Sequence, residues 1–349
     1  MKRIENWWLS IDRLNFVFIL SLGITGVILS FSLNEKFYLI NRHGIFFILG
    51  IFFLIIFSSI SDKNIRRISF YGFFVFIILL FTILFLEFEV KGARRWIKFF
   101  NFTLQPSEII KPFFVILSSW CISQSIHGKK YYISIVFSFF IVLIILILLQ
   151  PDLGMTILIS ATFFCQLFVA GLSMFLVTVA IFFLIAVFTL SYFLLDHVQK
   201  RISSFLRGSD TYQIDLSLEA FKSGGIFGKG PGQGILKEKI PDANTDFIFA
   251  VAGEELGLIF CLLIIIIIMS IIIRTLFNVL KIQDPYKIIA IVGLICLFGL
   301  QCLINIFSSL GIIPTKGMTL PFVSYGGSSI ISVSILFGFL LSLTNKNNE

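Results

Sequence analysis

Charge is scarce in this chain. Asp, Glu, Lys and Arg make up 13% of its 349 residues, against about 25% in an ordinary soluble domain. A disordered chain, which combines low hydrophobicity with high net charge, is thereby excluded. Histidine is scarcer still. His43, His127 and His197 fall at widely separated places, so no metal cluster is visible. The five cysteines, at 121, 165, 261, 296 and 302, lie in or beside apolar runs without a C-x-x-C pair, which argues against a disulfide framework or a zinc site. No repeat of solenoid length occurs, and no matching Gly/Pro-broken spans mark two inverted halves of a transporter. What abounds is apolar: 58% of residues, 44 of them Phe, with mean hydropathy +1.02. One soluble core of this length could not bury them, so the solvent for most of the chain is lipid.

A bilayer-spanning helix needs about 20 apolar residues. Such runs predict ten spans, at about 14–33, 44–61, 68–88, 109–126, 131–149, 155–171, 173–195, 248–274, 287–309 and 320–343. The predicted fold is an all-α polytopic membrane protein, a single domain over 1–349 with one long loop at about 196–247. The first run is too long for a signal-peptide core, and no A-x-A-like site follows it. Net charge is +8, but the basic residues form short clusters between spans instead of one stripe. That pattern reads as positive-inside topology, not as a nucleic-acid surface. With cytoplasmic termini, inside segments hold twelve Lys and Arg: 2, 3, 13, 63, 66, 67, 129, 130, 274, 281, 287 and 346. Outside loops hold seven: 36, 42, 91, 94, 95, 98 and 316. Both termini are therefore expected inside and the long loop outside. Trp7, Trp8, Trp96 and Trp120 lie near span ends, where amphipathic rings favour the interface.

Polar residues break the apolar pattern in four places. Lys91–Trp96 is followed by Gln105-Pro106-Ser107-Glu108-Ile109-Ile110-Lys111, where Pro106 signals a helix start. Glu108 and Lys111 then share a helical face, either anchoring the span at the interface or lining a polar cavity. Residues 94–102 read as a short amphipathic element on the outer leaflet. Gln150-Pro151-Asp152-Leu153-Gly154 is a tight connection in which Asp152 needs partners; Arg94, Arg95 and Lys111 are the candidates. Residues 314–329 (PTKGMTLPFVSYGGSS) suit close helix packing or a hydrogen-bonding floor for a polar ligand. The long loop carries Gly228-Lys229-Gly230-Pro231-Gly232-Gln233-Gly234, which lacks the strand context of a dinucleotide fingerprint. It ends at Pro241-Asp242-Ala243-Asn244-Thr245-Asp246-Phe247. Asp246, where the loop re-enters the membrane, is either a helix N-cap or a reactive carboxylate at the lipid–water boundary.

These blocks occur in an order that resembles the SEDS family (shape, elongation, division and sporulation), across the whole chain: KGARRW…QPSEIIK, QPDLG, YQ…SL…GG, G-x-G-x-G…P-x-A-x-T-D-F-I-F-A-V-x-x-E-E-L-G and PTKG-x-T-L-P-F-x-S-Y-G-G-S-S. The spacing from GKGPGQG to PDANTDF looks more like the division branch than the elongation branch. The resemblance implies a peptidoglycan glycosyltransferase of the cytoplasmic (inner) membrane, at the septum. It would polymerise lipid II on the outer face, beside a class B penicillin-binding protein and other divisome membrane proteins, among membrane lipids and without nucleic acid. The family's loop carboxylate falls on Asp246. Asn244 stands where many relatives carry His, which leaves the base role to Asp246. Inverting transfer needs a base for the acceptor 4-hydroxyl and cations for the departing pyrophosphate. Arg94, Arg95, Lys111, Lys237 and Lys316 are the candidate cations; Glu108, Asp152 and Ser324 are further candidates for substrate contact. No cofactor is demanded. A divalent cation (Mg or Mn) is compatible with the chemistry, but its ligands are not legible. A lipid II flippase and a non-catalytic scaffold recruiting a transpeptidase are the alternatives.

Overall fold

In a computed structural model the described residues are 7–33, 37–86, 94–99, 102–171, 212–314 and 317–345, with isolated positions between 172 and 211. The chain runs α1 (Arg13–Ser32), α2 (Phe37–Ser58), α3 (Asp62–Ile83), β1 (Ile97–Phe99), β2 (Phe102–Leu104), α4 (Pro106–Ile126), α5 (Tyr131–Leu149), α6 (Leu153–Val169), α7 (Tyr212–Gly224), a 3₁₀ turn (Leu236–Glu238), α8 (Ile248–Val279), α9 (Pro285–Ser309) and α10 (Gly327–Leu343). By length and composition α1, α3, α4, α5, α8 and α9 can each cross a membrane, and Arg42–Ser58, Leu153–Val169 and Gly327–Leu343 are shorter apolar helices. This is a multi-pass membrane protein. The span expected at 173–195 lies outside the described residues.

Local chemistry explains the helix starts. The Asp12 carboxylate accepts from the Asn15 amide (3.3 Å) at the head of α1, Asp152 from Met155 (3.2 Å) at α6, and Asp284 from Tyr286 (2.9 Å) at α9. Such caps satisfy donors that the first turn leaves orphaned. Pro106 and Pro285 begin α4 and α9, where the missing N–H costs nothing.

Helix α4 is the centre of the bundle. It packs against α3, α5, α6, α9 and α10, and its residues from Pro106 to Ser119 are all buried. Phenylalanines fill the gaps around it: Phe114 meets Phe73, Phe140 and Phe163, the last two with ring centroids 4.6 Å apart. Helix α10 lies along α2, and α9 along α6. The periphery is the reverse. Phe70, Tyr71, Ile78 and Phe81 of α3, and Leu258, Ile266 and Phe277 of α8, are exposed, as lipid-facing side chains are.

Four expectations change. Strands Ile97–Phe99 and Phe102–Leu104 pair antiparallel, with Ile97 opposite Leu104 and Lys98 opposite Thr103, so the described residues are helical with one small sheet. The alternation of Ile97, Lys98 and Phe99 is a period-2 pattern that a helical reading overlooks. The long loop contains α7, which packs on α8. The last helix begins at Gly327 and not near 320, because 317–326 is an irregular loop including Phe322 at φ 63°. Helix α8 is broken at Gly257, with φ 77° and ψ −178°.

Candidate active site

Two irregular turns meet at one end of the bundle. The first, 241–247, precedes α8. Its geometry is closed by the Asp242 carbonyl, which accepts from the Thr245 amide (3.1 Å) and the Asp246 amide (3.0 Å), with Asp242 itself in the left-handed region at φ 58°. The second is the loop before α10, where Ser324 Oγ accepts from the Leu320 amide at 2.8 Å. Left-handed conformations are costly for residues other than glycine and persist only where surroundings enforce them. Asp242 and Phe322 therefore mark two turns held in place by each other.

The contacts between them are specific. The Tyr325 amide donates to the Asn244 carbonyl at 2.9 Å, and Ser324 Oγ donates to the Thr245 carbonyl at 2.5 Å. Asn305 of α9 donates from Nδ2 to the carbonyls of Asp246 (2.9 Å) and Met318 (2.6 Å), bridging both turns. Three consecutive carbonyls, 244 to 246, are thus fixed by partners from the neighbouring loop and helix. The Asp246 carboxylate faces Gly317: a Cβ at that glycine would lie 3.5 Å from Oδ2. Asp246 is half-buried. The cap position of α8 falls on Phe247, so Asp246 stands one residue outside the helix cap.

A buried polar chain runs from this turn into the bundle. Lys111 Nζ donates to Glu108 Oε2 (2.7 Å) and to Gln301 Oε1 (2.8 Å). Gln301 Nε2 donates to the Thr319 carbonyl at 3.2 Å, and Thr319 Oγ1 and Ser329 Oγ are hydrogen-bonded to each other at 2.6 Å. Ser332 Oγ donates to the Glu108 carbonyl at 2.6 Å. Gln301 and Asn305 are four residues apart and so share one face of α9. That face joins Lys111 to the backbone of Asp246.

The other predicted residues fall into separate groups. Arg95 donates to the Gln150 carbonyl (3.0 Å) and to that of Pro151, and its Nη1 is 3.8 Å from Asp152 Oδ2. Gln105 Nε2 also reaches Asp152, and its amide donates to Ser328 Oγ at 2.9 Å, which ties this group to the start of α10. Of the partners expected for Asp152, Arg95 is present, whereas Lys111 pairs with Glu108. Arg94 is exposed. Lys237 is 3% exposed; Nζ donates to Glu255 Oε1 (2.7 Å), the Gly232 carbonyl (3.1 Å) and the Ser32 carbonyl. Its charge is directed into the protein. Lys316 lies outside the described residues.

Sequence reasoning passed over Gln301 and Asn305, and reached Thr319 and Ser329 only as members of the 314–329 stretch. A signal existed: two amides four residues apart inside an apolar span are the kind of intramembrane polar pair that lipid excludes unless it has partners. Among the described residues no three His, Cys, Asp or Glu side chains converge as a metal site.

The family model described as "Cell cycle protein", for FtsW, RodA and SpoVE, matches residues 4–349. A probable peptidoglycan glycosyltransferase FtsW from Caulobacter vibrioides is 37% identical over 353 residues, covering 97% of this chain and 90% of that protein. One of the same description from Borreliella burgdorferi is 37% identical, covering 95% and 90%. In fold, the chain is similar to a component of a peptidoglycan synthase complex that coordinates polymerization and crosslinking (TM-score 0.83, 22% identity, 97% and 98% covered). It is also similar to the rod shape determining protein RodA of Thermus thermophilus (TM-score 0.72, 22% identity, 97% of each chain).

Proposed function

Because this chain belongs to the cell cycle protein family of FtsW, RodA and SpoVE, we propose that it is a peptidoglycan glycosyltransferase that polymerises lipid II at the division septum, with Asp246 as the general base. The observation that carries this reading is the clamp on residues 244–246. Ser324, Tyr325 and Asn305 hold the backbone of a half-buried carboxylate at the mouth of the bundle. A base fixed in this way spends little entropy on reaching its substrate.

In the proposed step the acceptor sugar's 4-hydroxyl oxygen bonds to the donor's anomeric carbon while the hydroxyl proton passes to Asp246. The bond from that carbon to the pyrophosphate oxygen breaks, and its electron pair leaves with undecaprenyl pyrophosphate. The leaving group needs cations. Lys111 and Lys237 are buried in ion pairs with Glu108 and Glu255 and Arg95 is engaged by the 150–152 turn, so these three serve the substrate only by exchanging a protein partner for it. The Lys111–Gln301–Thr319 chain supports the loop opposite Asp246. A divalent cation, Mg or Mn, would supply further positive charge to the departing pyrophosphate. The site then opens outward from the cytoplasmic membrane, with a class B penicillin-binding protein as partner.

Two measurements test this. Asp246→Asn keeps shape and hydrogen-bond acceptance but cannot take a proton; glycan-chain formation by the purified variant with its transpeptidase should fall by about 10²-fold or more at unchanged thermal stability. Normal polymerisation would remove Asp246 from the chemistry, and lipid II crossing without polymer would favour a flippase. For topology, Gln233→Cys should react with a membrane-impermeant thiol reagent from outside and Asn64→Cys should not; reversed labelling would overturn the orientation.

A further inference from the structure

The break in α8 has an unusual repair. In an unbroken helix the amides of Leu258 and Ile259 would donate to the carbonyls of Glu254 and Glu255. The turn at Gly257 separates these partners. The glycine-rich loop takes both halves of the lost pairs. The Lys229 and Gly230 amides donate to the Glu254 and Glu255 carbonyls at 3.0 and 2.9 Å, while the Leu258 and Ile259 amides donate to the Gly225 and Ile226 carbonyls at 3.0 and 3.3 Å. Residues 225–230 are thereby inserted into the hydrogen-bond ladder of the helix. The approach is close: a Cβ on Gly228, at φ 79°, would lie 2.2 Å from the Glu255 carbonyl oxygen.

The insertion has a depth and a direction. Residues 256–273 of α8 form an uncharged apolar run ending at Arg274, close to the length that crosses hydrocarbon. Leu258 and Ile259 are its outermost turn. Before the break, residues 248–255 are wholly buried; after it, exposure recurs at Leu258, Ile259, Leu262, Leu263 and Ile266, the periodicity of a helix face against lipid. The loop tip beside that outermost turn carries Ile226, 58% exposed, and Phe227, 81% exposed. Non-helical backbone is tolerated at membrane depth where protein satisfies its polar groups, and here the broken helix pairs the Gly225 and Ile226 carbonyls and the Lys229 and Gly230 amides, while the Phe221 and Gly224 carbonyls accept from the Gly225 and Gly228 amides.

We propose that the Gly225–Gly230 tip is a re-entrant membrane anchor. Ile226 and Phe227 project into the acyl chains of the leaflet on the Asp246 side, continuing the lipid face of α8. The partner is lipid hydrocarbon, and neither a second protein nor water meets this tip. The inference rests on membrane insertion of α8 and not on the glycosyltransferase reading.

The test is fluorescence quenching of the full-length protein in phosphatidylcholine vesicles. Phe227→Trp is compared with Leu262→Trp, on the lipid face of α8, and with Gln233→Trp, in the exposed part of the same loop; each added signal is taken as the difference from the unmodified protein. Phe227→Trp should be quenched by lipid brominated near the headgroup end of its acyl chains at least half as strongly as Leu262→Trp, and should resist aqueous iodide. Gln233→Trp should behave oppositely. Quenching of Phe227→Trp by iodide and not by brominated lipid would overturn the anchor, as would protection from both, which would mean coverage by protein. Polymerisation by Phe227→Trp at the wild-type rate would show that the variant is folded, and failure of the Asp246 reading would leave the quenching result unaffected.

Discussion

The two ends of the bundle both use ion pairs, but under different dielectric conditions. At the end away from Asp246, Arg274 holds Asp12 at 2.8 and 2.9 Å with Asn278 assisting, and Lys287 holds Asp62 at 3.0 Å. The Arg274 side chain is 39% exposed and its partner Asp12 6%, while Lys287 and Asp62 are 10% and 18% exposed. At the Asp246 end, the side chains of Lys237 and Glu255 are each 1% exposed, and that of Lys111 is 2% exposed. Glu254, wholly buried, accepts from the amides of Ile235, Leu236 and Lys237. Exposed pairs are screened and contribute little. Buried pairs carry a desolvation cost on both ions, and losing one partner strands the other. At the first end each pair keeps one partner in some contact with water, whereas Lys237 and Glu255 are both closed off.

The largest expected effect is therefore at Lys237. Lys237→Met should destabilise by about 3–5 kcal/mol, measured by thermal unfolding in a defined detergent, because Glu255 is left buried and unpaired. Adding Glu255→Leu should recover much of that loss. A small effect of Lys237→Met alone would mean that water reaches the pair and that the two ends are alike.

The Glu108–Lys111 pair sharpens the comparison, since it connects to the candidate site. Lys111→Ala or Glu108→Ala should lower polymerisation by about 10-fold or more, in line with about 1.5–3 kcal/mol for a hydrogen bond to a charged group, while membrane insertion is retained. Normal polymerisation by both would reduce the pair to an interfacial anchor. At the other end Arg274→Gln should cost about 1 kcal/mol, because the buried Asp12 keeps Asn278 and the Asn15 amide as donors; a careful thermal scan would read this, and polymerisation should be unchanged.

Much of this was legible before any coordinates. Nine of the ten apolar runs coincide with helices, displaced by a few residues where caps decide. Pro106 and Asp152 lie at the helix starts where turn chemistry puts them. The pairing of β1 with β2 was missed because three-residue strands carry too short a period to stand out beside amphipathic spacing. Helix α7 was missed because a loop reading follows from its glycine-rich surroundings. Lys237 looked like a cation for an anionic substrate only because Glu255, 18 residues on, was not known to face it.

The sequence by itself determined the solvent of this protein, its helical class and the segments where polar residues interrupt lipid-facing runs. Those are local matters: composition sets transfer free energy, and Pro, Gly and Asp set turns and caps within a few residues. Which interruptions meet was decided only by tertiary structure. Asn305 reaches the carbonyls of Asp246 and Met318 from another helix, 59 residues from the first. The loop at 225–230 completes the ladder of a helix that begins at Ile248. A buried amide or carbonyl needs a partner, but that need can be met from anywhere in the chain, so local sequence names the demand without naming the supplier.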